Sequence, residues 1–582
     1  MNATEKTLPS EENPSELAET SSEKNAESAK PAEKQTSVAK SAGIVSIAVM
    51  FSRVMGLVRE MIFAKYFGAG FLYDAFLVGF RIPNLLRDLF AEGALSAAFV
   101  KVFTDYQIKK SELEAWRLAS LVFNALAVSL SILTLFGILL APYFVPLLAW
   151  GFPPEKASLA VTLTQIMFPF ILLVALAALA MGVLNTKGRF GIPASASTAF
   201  NIASIIFGLG LAFYLSGGSW ETSDDKNLIP SAAAQWAIVG MAIGTLIGGA
   251  FQFLIQVPSL LKVGFRFTPR LNFRDEGVRR VMRLMAPAIV GTSAVQIKVL
   301  VDTFVVSGID GGQSWLSYAF RLMQFPIGVF GVAIGTAAIP TLSRLASENN
   351  FRKFRSTLSD SMNLAFLLTV PSACGLIVLG EPIIRLIYER GRFDALDTQM
   401  TAWALAAYSV GLAGYAAIKI VSPSFYALDD AKTPMYVSLG SILIHVATSY
   451  GMMRLLSTVG VTPERPNGFG HVGVALATSI VALVNFFALV YLMRRRISRI
   501  NGREILAALT KIAAASAVMS AVCWASYYFL HRQFAASSFL YKVVECFVPI
   551  GLGGLVFFAT AKILRIKEVD KLFEAFARKL KR

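Results

Sequence analysis

The residues most able to do chemistry in this chain are charged side chains inside its apolar segments. The stretch FSRVMGLVREMIFAKYFGAG, residues 51–70, is apolar except for Arg53, Arg59, Glu60 and Lys65. A charge at the middle of a bilayer costs about 2.5–3.5 kcal/mol on insertion scales, so a helix with several charges must face water or other charges rather than lipid. The sequence therefore predicts a polar site inside a membrane protein.

Other apolar segments continue this pattern. They add Asp74, Arg81, Arg87, Asp88, Glu92, Lys298, Asp302 and Arg321. At 100° per residue, Arg53 and Glu60 share one helix face, and so do Arg81 and Asp88. The charges therefore form a stripe along the helices rather than a scatter.

Two interpretations of the stripe remain open. Some of its members fit ion pairs between helices as well as they fit a binding site, namely Arg53, Arg81, Asp88 and Glu92. For Arg59, Arg87 and Arg321 the sequence favours function, because guanidinium groups bind phosphate in bidentate fashion. The formal net charge of +17 also favours an anionic ligand over a cationic one.

The elements that must hold these charges are membrane helices. The chain of 582 residues is 55% hydrophobic and only 16% charged, with a mean hydropathy of +0.60. Soluble globular proteins carry about 25% charged residues, so that class is excluded. The basic residues lie mostly in short loops, and nucleic acid is excluded as a partner because the chain has no basic soluble domain. Three histidines and three cysteines without metal or disulfide spacing argue against a metal or thiol centre.

Apolar windows of about 20 residues recur from residue 42 almost to the end. The sequence predicts an all-α polytopic membrane protein with fourteen transmembrane helices, at roughly 42–67, 73–104, 117–141, 157–184, 194–216, 233–257, 281–308, 314–342, 356–379, 400–422, 434–456, 471–493, 505–529 and 541–564. Strongly basic loops follow spans six, eight and twelve. They predict that both termini are cytoplasmic.

An internal repeat pairs spans one to six with spans seven to twelve. Three pairs of segments carry it: VGMAIGT with VGVALAT, LYDAF with LSYAF, and the loops NTKGRFGIP with YALDDAKTP. Because six is even, the two halves are predicted to be parallel, as in transporters that carry substrate between two bundles. The predicted parts are a disordered cytoplasmic tail (1–40), an N-terminal six-helix bundle (41–257), a basic cytoplasmic linker (258–280), a C-terminal six-helix bundle (281–493) and an extra helix pair with a basic tail (494–582).

Four stretches carry a resemblance to a known family. SRVMGLVREMIFAKYFGAG, DAFLVGFRIPNLLRDLFAEGALSAAFVKVF, YAFRLMQFPIGVFGVAIGTAAIPTLSR and FYALDDAKTP resemble the MurJ (MviN-type) lipid II flippases of the multidrug/oligosaccharidyl-lipid/polysaccharide exporter superfamily. The resemblance runs from about residue 42 to the end. It implies a transporter, not an enzyme, that moves the undecaprenyl-pyrophosphate-linked peptidoglycan precursor outward across a bacterial inner membrane by alternating access, for cell wall synthesis and cell shape.

The resemblance also implies roles for single residues. The substrate-binding residues of the family's cavity fall on Arg53, Arg59, Asp74, Arg87 and Arg321. Spans thirteen and fourteen look like the family's extra pair, which forms a hydrophobic groove for the lipid tail. The implied partners are lipid II and the bilayer, with other cell wall synthesis proteins as further candidates.

A sodium site in some members of this family has candidate ligands here. Asp302, Val474 and Thr478 match its span-seven and span-twelve positions, whereas Ser449 and Met453 stand where those members have Asn and Asp. Sodium, protons and the membrane potential all remain candidate driving forces, and no other cofactor is expected.

Three alternatives stay open at this point. One is an exporter of another polyprenyl-linked glycan with the same architecture. Another is a membrane-embedded glycosyltransferase or polymerase that acts on the same lipid. Such an enzyme would need a catalytic carboxylate and usually a large external loop, whereas the loops predicted outside the cytoplasm are short. A third is an interaction scaffold that uses the tail of residues 1–40.

Overall fold

The structure is a computed structural model that describes residues 45–90, 94–218, 229–463, 465–533 and 538–570. The predicted disordered tail, residues 1–40, lies outside the described residues. The first half contains α1 (45–67), α2 (Phe71–Phe90), α3 (Ala94–Lys109), α4 (Glu112–Leu148), α5 (Pro154–Met167), α6 (Phe170–Thr186), α7 (Gly191–Leu215), α8 (Ala232–Leu254) and α9 (Val257–Lys262).

The second half continues the all-helical architecture. It contains α10 (Glu276–Val306), α11 (Gly312–Pro326), a π-helix (Ile327–Val332), α12 (Ala333–Ser347), α13 (Phe351–Ile387), α14 (Ala395–Val410), α15 (Leu412–Tyr426), α16 (Lys432–Ser457) and α17 (Gly470–Arg496). Two further helices follow, α18 (Gly502–Gln533) and α19 (Phe539–Ile563). Each predicted span falls on one of these helices or on consecutive ones.

Hydropathy separates the helices into two groups. Within the described residues, ten helical segments are long and apolar enough to cross a membrane, and the α14–α15 pair, bent by 42°, makes eleven. The chain is therefore a multi-pass membrane protein. The expected spans that are not in this group are α1, α2–α3 and α10, and these are the helices that carry most of the intramembrane charges. The count of fourteen spans and the repeat stay predictions.

Local signals in the sequence explain where several helices begin and bend. Ser111 caps α4 by accepting from the backbone of Glu114 at 3.2 Å. In the loop before α16, the Thr433 hydroxyl donates to Asp430 at 2.7 Å, which lowers the pKa of that carboxyl. Pro326, which cannot donate a backbone hydrogen bond, immediately precedes the π-helix. These signals are all readable in the sequence because they act over only a few residues.

The two halves share a hydrophobic core at one end, which we call the closed end. There the Arg392 N–H donates to the Lys65 carbonyl at 3.0 Å, and the Gly151 N–H donates to the Ser307 hydroxyl at 3.0 Å. Gly68 permits the closest approach, because its φ is 66° and a Cβ there would lie 2.6 Å from the Arg392 carbonyl oxygen.

Away from the closed end, each half has a core of its own. One core contains residues of α3, α4 and α6 with the start of α10, and the other contains residues of α12, α13, α15 and α17. We call this the open end. Helices α18 and α19 pack on α13 and belong to the core of the second half. The molecule thus has the architecture of two bundles joined at one end.

Candidate substrate site between the two halves

Two arginines from opposite halves converge on one carboxylate. Arg321 of α11 donates to Glu60 Oε1 at 2.6 Å, and Arg59 of α1 lies 3.5 Å from the same oxygen. Glu60 is buried, whereas 45% of the Arg321 side chain is exposed in the space between the halves. Two guanidinium groups and one carboxylate leave one net positive charge at this site, which suits a further anionic ligand.

Aromatic side chains contact this cluster, and two of them, Tyr73 and Tyr318, belong to the shared core at the closed end. The Tyr73 hydroxyl donates to Glu60 Oε2 at 2.7 Å, and the Tyr73 ring stacks on Tyr318 with 5.0 Å between centroids. The Arg59 guanidinium lies over the Phe200 ring, 5.1 Å from its centroid. Because Tyr73 and Tyr318 come from α2 and α11, the cluster is connected to the surface on which the two halves meet.

Arg53 lies on α1 about two helical turns from Glu60, on the side of the open end, and its side chain contacts the second half. It is exposed on α1, and its guanidinium lies against Gly328 of the π-helix. A Cβ at Gly328 would be 2.3 Å from Arg53 Nη1, so the glycine leaves the space that this guanidinium occupies. Gly331 and Gly335 have a different role, because they allow close packing on Ala416 and Lys419 of α15.

Arg87 lies apart from the Glu60 cluster, about 21 Å along α2 from Tyr73. It donates to Asp88 Oδ1 at 2.6 Å, and Asp88 in turn accepts from Gln296 of α10 at 3.1 Å. Both Arg87 and Asp88 are partly exposed. Arg81 and Asp88 share a helix face but have different partners, since Arg81 contacts Gln313 at 3.4 Å.

Asp74 is fully buried at the closed end. It accepts from Lys156 Nζ at 2.8 Å and from the backbone N–H groups of Gly311 and Ser314 at the start of α11, each at 2.9 Å. Lys156 also contacts Asp310 at 2.6 Å. In this conformation Asp74 is part of the contact between the halves, so its role toward the substrate stays a prediction.

The candidate sodium ligands Asp302 and Thr478 each have contacts of their own. Asp302 Oδ1 contacts His445 Nε2 at 2.8 Å and the Ser449 hydroxyl at 3.2 Å, both on α16. The Thr478 hydroxyl instead donates to the Val474 carbonyl at 3.1 Å. Sodium coupling stays a prediction that a transport measurement must decide.

Three residues important to this geometry were not selected as site residues from the sequence. Glu60 was visible only as part of the charged stripe. Lys156 is in the first turn of α5, where a positive charge is unfavourable beside the positive end of the helix dipole. This unfavourable position could have indicated from the sequence that Lys156 has an acidic partner. His445 was one of only three histidines and lies within a predicted span. Their partners are distant in sequence, so no local pattern could identify them.

Comparisons with known proteins agree with one another. The family model described as Lipid II flippase MurJ matches residues 63–545. A relative from Burkholderia cenocepacia named lipid II flippase MurJ is 35% identical over 459 residues, 78% of this chain and 83% of that protein. A relative from Vibrio cholerae named probable lipid II flippase MurJ is 35% identical over 462 residues, 78% of this chain and 82% of that protein.

Solved structures support the same assignment. The structure titled lipid II flippase MurJ in the inward closed conformation has a TM-score of 0.68 and 28% identity, and it covers 92% of this chain and 99% of that one. An inward-facing multidrug resistance MATE transporter of the MOP superfamily shares the fold, with a TM-score of 0.61 at 14% identity over 78% of this chain and 98% of that one. The chain belongs to the MurJ family of lipid II flippases.

Proposed function

We propose that this protein moves lipid II from the cytoplasmic to the outer leaflet of a bacterial inner membrane, for cell wall synthesis. The observation that carries the proposal is the convergence of Arg59 and Arg321, from opposite halves, on a single oxygen of Glu60. Guanidinium groups placed this way suit the diphosphate of a polyprenyl-linked substrate. Membership of a family named for lipid II transport identifies the substrate within that chemical class.

The transport step follows from competition for these guanidinium groups. A diphosphate carries more negative charge than the Glu60 carboxylate, so it competes for Arg321 and Arg59 as it enters between the halves. Arg53 and Arg87, nearer the open end, would meet the diphosphate on its way. Delivery to the other leaflet then requires the closed end to separate, which breaks the contact of Asp74 with the start of α11 and the contact of Lys156 with Asp310.

The proposed orientation has the open end in the cytoplasm together with both termini. Basic residues cluster near the open end, in the segments 262–283, 344–355 and 494–503, whereas at the closed end basic residues such as Arg390 and Arg392 are balanced by Asp310, Glu389 and Asp394. The positive-inside rule therefore supports a cytoplasmic open end. In this orientation the site is accessible to a substrate made inside the cell.

The polyprenyl tail is proposed to remain in lipid beside α18 and α19. These helices expose large apolar side chains, including Trp524, Phe547 and Leu555, of which 58%, 60% and 72% is exposed. Their packing on α13 brings this apolar surface next to the second half. A tail held there would stay outside the charged site while the headgroup crosses.

Reconstitution tests the substrate directly. Purified protein in vesicles should translocate fluorescent lipid II, and unlabelled lipid II should compete. A polyprenyl-linked glycan without the peptide stem should compete at least about tenfold less well if the protein selects lipid II. Equal competition by both lipids would refute selection of lipid II and would favour a general exporter of polyprenyl-linked glycans.

A further inference from the structure

A cavity outside the substrate site lies at the open end of the first half. Its volume is about 420 Å³, and it lies where the loop between α6 and α7 meets the end of α8 and α9. Its lining consists of Gly188, Arg189, Phe190, Gly191, Ile192, Ile255, Pro258, Ser259 and Lys262. The proposed transport mechanism uses none of these residues. The loop is the NTKGRFGIP segment of the internal repeat.

Two cations in this cavity are without counter-ions. Among the described residues, neither Arg189 nor Lys262 has an ion-pair or hydrogen-bond partner for its side chain, and no acidic residue lines the cavity. The neighbouring Lys187, in contrast, pairs with Glu112. Two unpaired cations beside one cavity attract an anion.

The start of α7 is unfavourable without an anion. Its N-cap residue, Phe190, supplies no side-chain hydrogen bond, and Arg189 places a cation just before the positive end of the helix dipole. The corresponding loop of the second half, YALDDAKTP, has Asp430 at the position of Arg189, and Asp430 accepts from the backbone of Thr433 at 3.0 Å. The second half therefore supplies its own anion where the first half has a cation.

The cavity also has features of a lipid-binding site. Ser259 lines the cavity and is only 6% exposed, and its hydroxyl has no hydrogen-bond partner among the described residues. This hydroxyl is therefore available to donate to a ligand. Apolar side chains form the rim, with Phe190, Ile192 and Ile255 about 40% exposed. A ligand that fits must combine an anionic group with an apolar part.

We propose that this cavity binds the phosphate of an anionic membrane phospholipid. Arg189, Lys262 and the Ser259 hydroxyl contact the phosphate oxygens together with the first N–H groups of α7, and the acyl chains lie against Phe190, Ile192 and Ile255. The bound phosphate takes the role that Asp430 has in the second half. This site is separate from the substrate site and does not depend on the transport function.

Native mass spectrometry of the full chain in detergent, with phosphatidylglycerol as the probe, tests this proposal. Arg189→Asp should reduce binding of the first lipid about tenfold or more, because a charged hydrogen bond is lost and a repulsive charge is added. The unfolding temperature without lipid should not fall, because aspartate is a favourable residue near a helix start. Lys262→Gln, a milder change, should weaken binding in the same direction.

The matched control is the double variant Arg352→Gln, Lys353→Gln, which alters the net charge by the same two units at exposed positions on α13. It should leave binding of the first lipid unchanged. Equal losses in the control and in Arg189→Asp, or no loss in Arg189→Asp and Lys262→Gln, would overturn the proposal. Excess inorganic phosphate should not displace the lipid, and displacement would overturn the assignment to a phospholipid.

Discussion

Replacement of Lys156 by methionine is expected to loosen the closed end. Lys156 is 2% exposed, and its ammonium bridges Asp74 at 2.8 Å and Asp310 at 2.6 Å. Methionine keeps an unbranched apolar side chain but removes the charge, so Asp74 stays buried without its counter-ion. Removal of one partner from a buried ion pair costs about 3–5 kcal/mol. Asp310, which is 51% exposed, adds little because water screens it.

This energy is large on the scale of a conformational equilibrium. Because Asp74, Lys156 and the start of α11 hold the halves together, we expect most of the loss to weaken the closed conformation. Each 1.4 kcal/mol is about a factor of ten, so the population with a separated closed end should rise by about 10²- to 10³-fold. The assay is labelling of a cysteine at Ala69, which is 5% exposed, by a membrane-impermeant thiol reagent.

The native cysteines Cys374, Cys523 and Cys546 must first be replaced so that only the introduced thiol reacts. Lys187→Met is the matched control, because Lys187 pairs with Glu112 far from the closed end. It should leave the labelling rate unchanged. If Lys156→Met folds normally and labels no faster than the parent protein, the closed end does not depend on this ion pair and our reasoning fails.

Three further predictions concern the site between the halves. Glu60→Gln removes the negative charge that Arg59 and Arg321 share, so pyrophosphate measured by calorimetry should bind about tenfold more tightly. Unchanged or weaker binding would contradict the competition between Glu60 and substrate. Gly328→Ala should displace the Arg53 guanidinium and lower lipid II transport as much as Arg53→Ala does, with little change in the unfolding temperature. Transport at the parent level would show that the position of Arg53 is unimportant. Because His445 and Ser449 both contact Asp302 Oδ1, exchange of sodium for potassium at constant membrane potential should leave transport in vesicles unchanged. A clear fall in transport in potassium would establish sodium coupling.

The sequence alone predicted the helical elements well, because the signals for them are local. Apolar windows located the helices, and the charged stripe on α1 and α2 indicated that these helices face a polar space. The same stripe identified Arg59 and Arg321, which the structure brings together at Glu60. The predicted span on α1 does not stand out by hydropathy in the structure, because its charges mask its apolar character.

The sequence could not predict which side chains on different helices contact each other, because these contacts depend on how each helix is rotated and packed. Glu60 and Arg321 are 261 residues apart, and Asp74 and Lys156 are 82 apart. Nothing near Asp74 indicated that it would contact the start of α11. The same limit applied to Asp302, whose contact with His445 depends on the packing of α10 against α16.

The central claim, that the arginines between the halves carry the diphosphate of lipid II, is tested most directly in cells depleted of their own flippase and complemented with this chain. Outward translocation of lipid II would be measured for Arg59→Ala, Arg87→Ala and Arg321→Ala, each checked for expression and membrane insertion. We predict transport by the parent chain and its loss in the well-inserted variants. Undiminished transport in all three variants would contradict the account and would mean that these charges only hold the helices together.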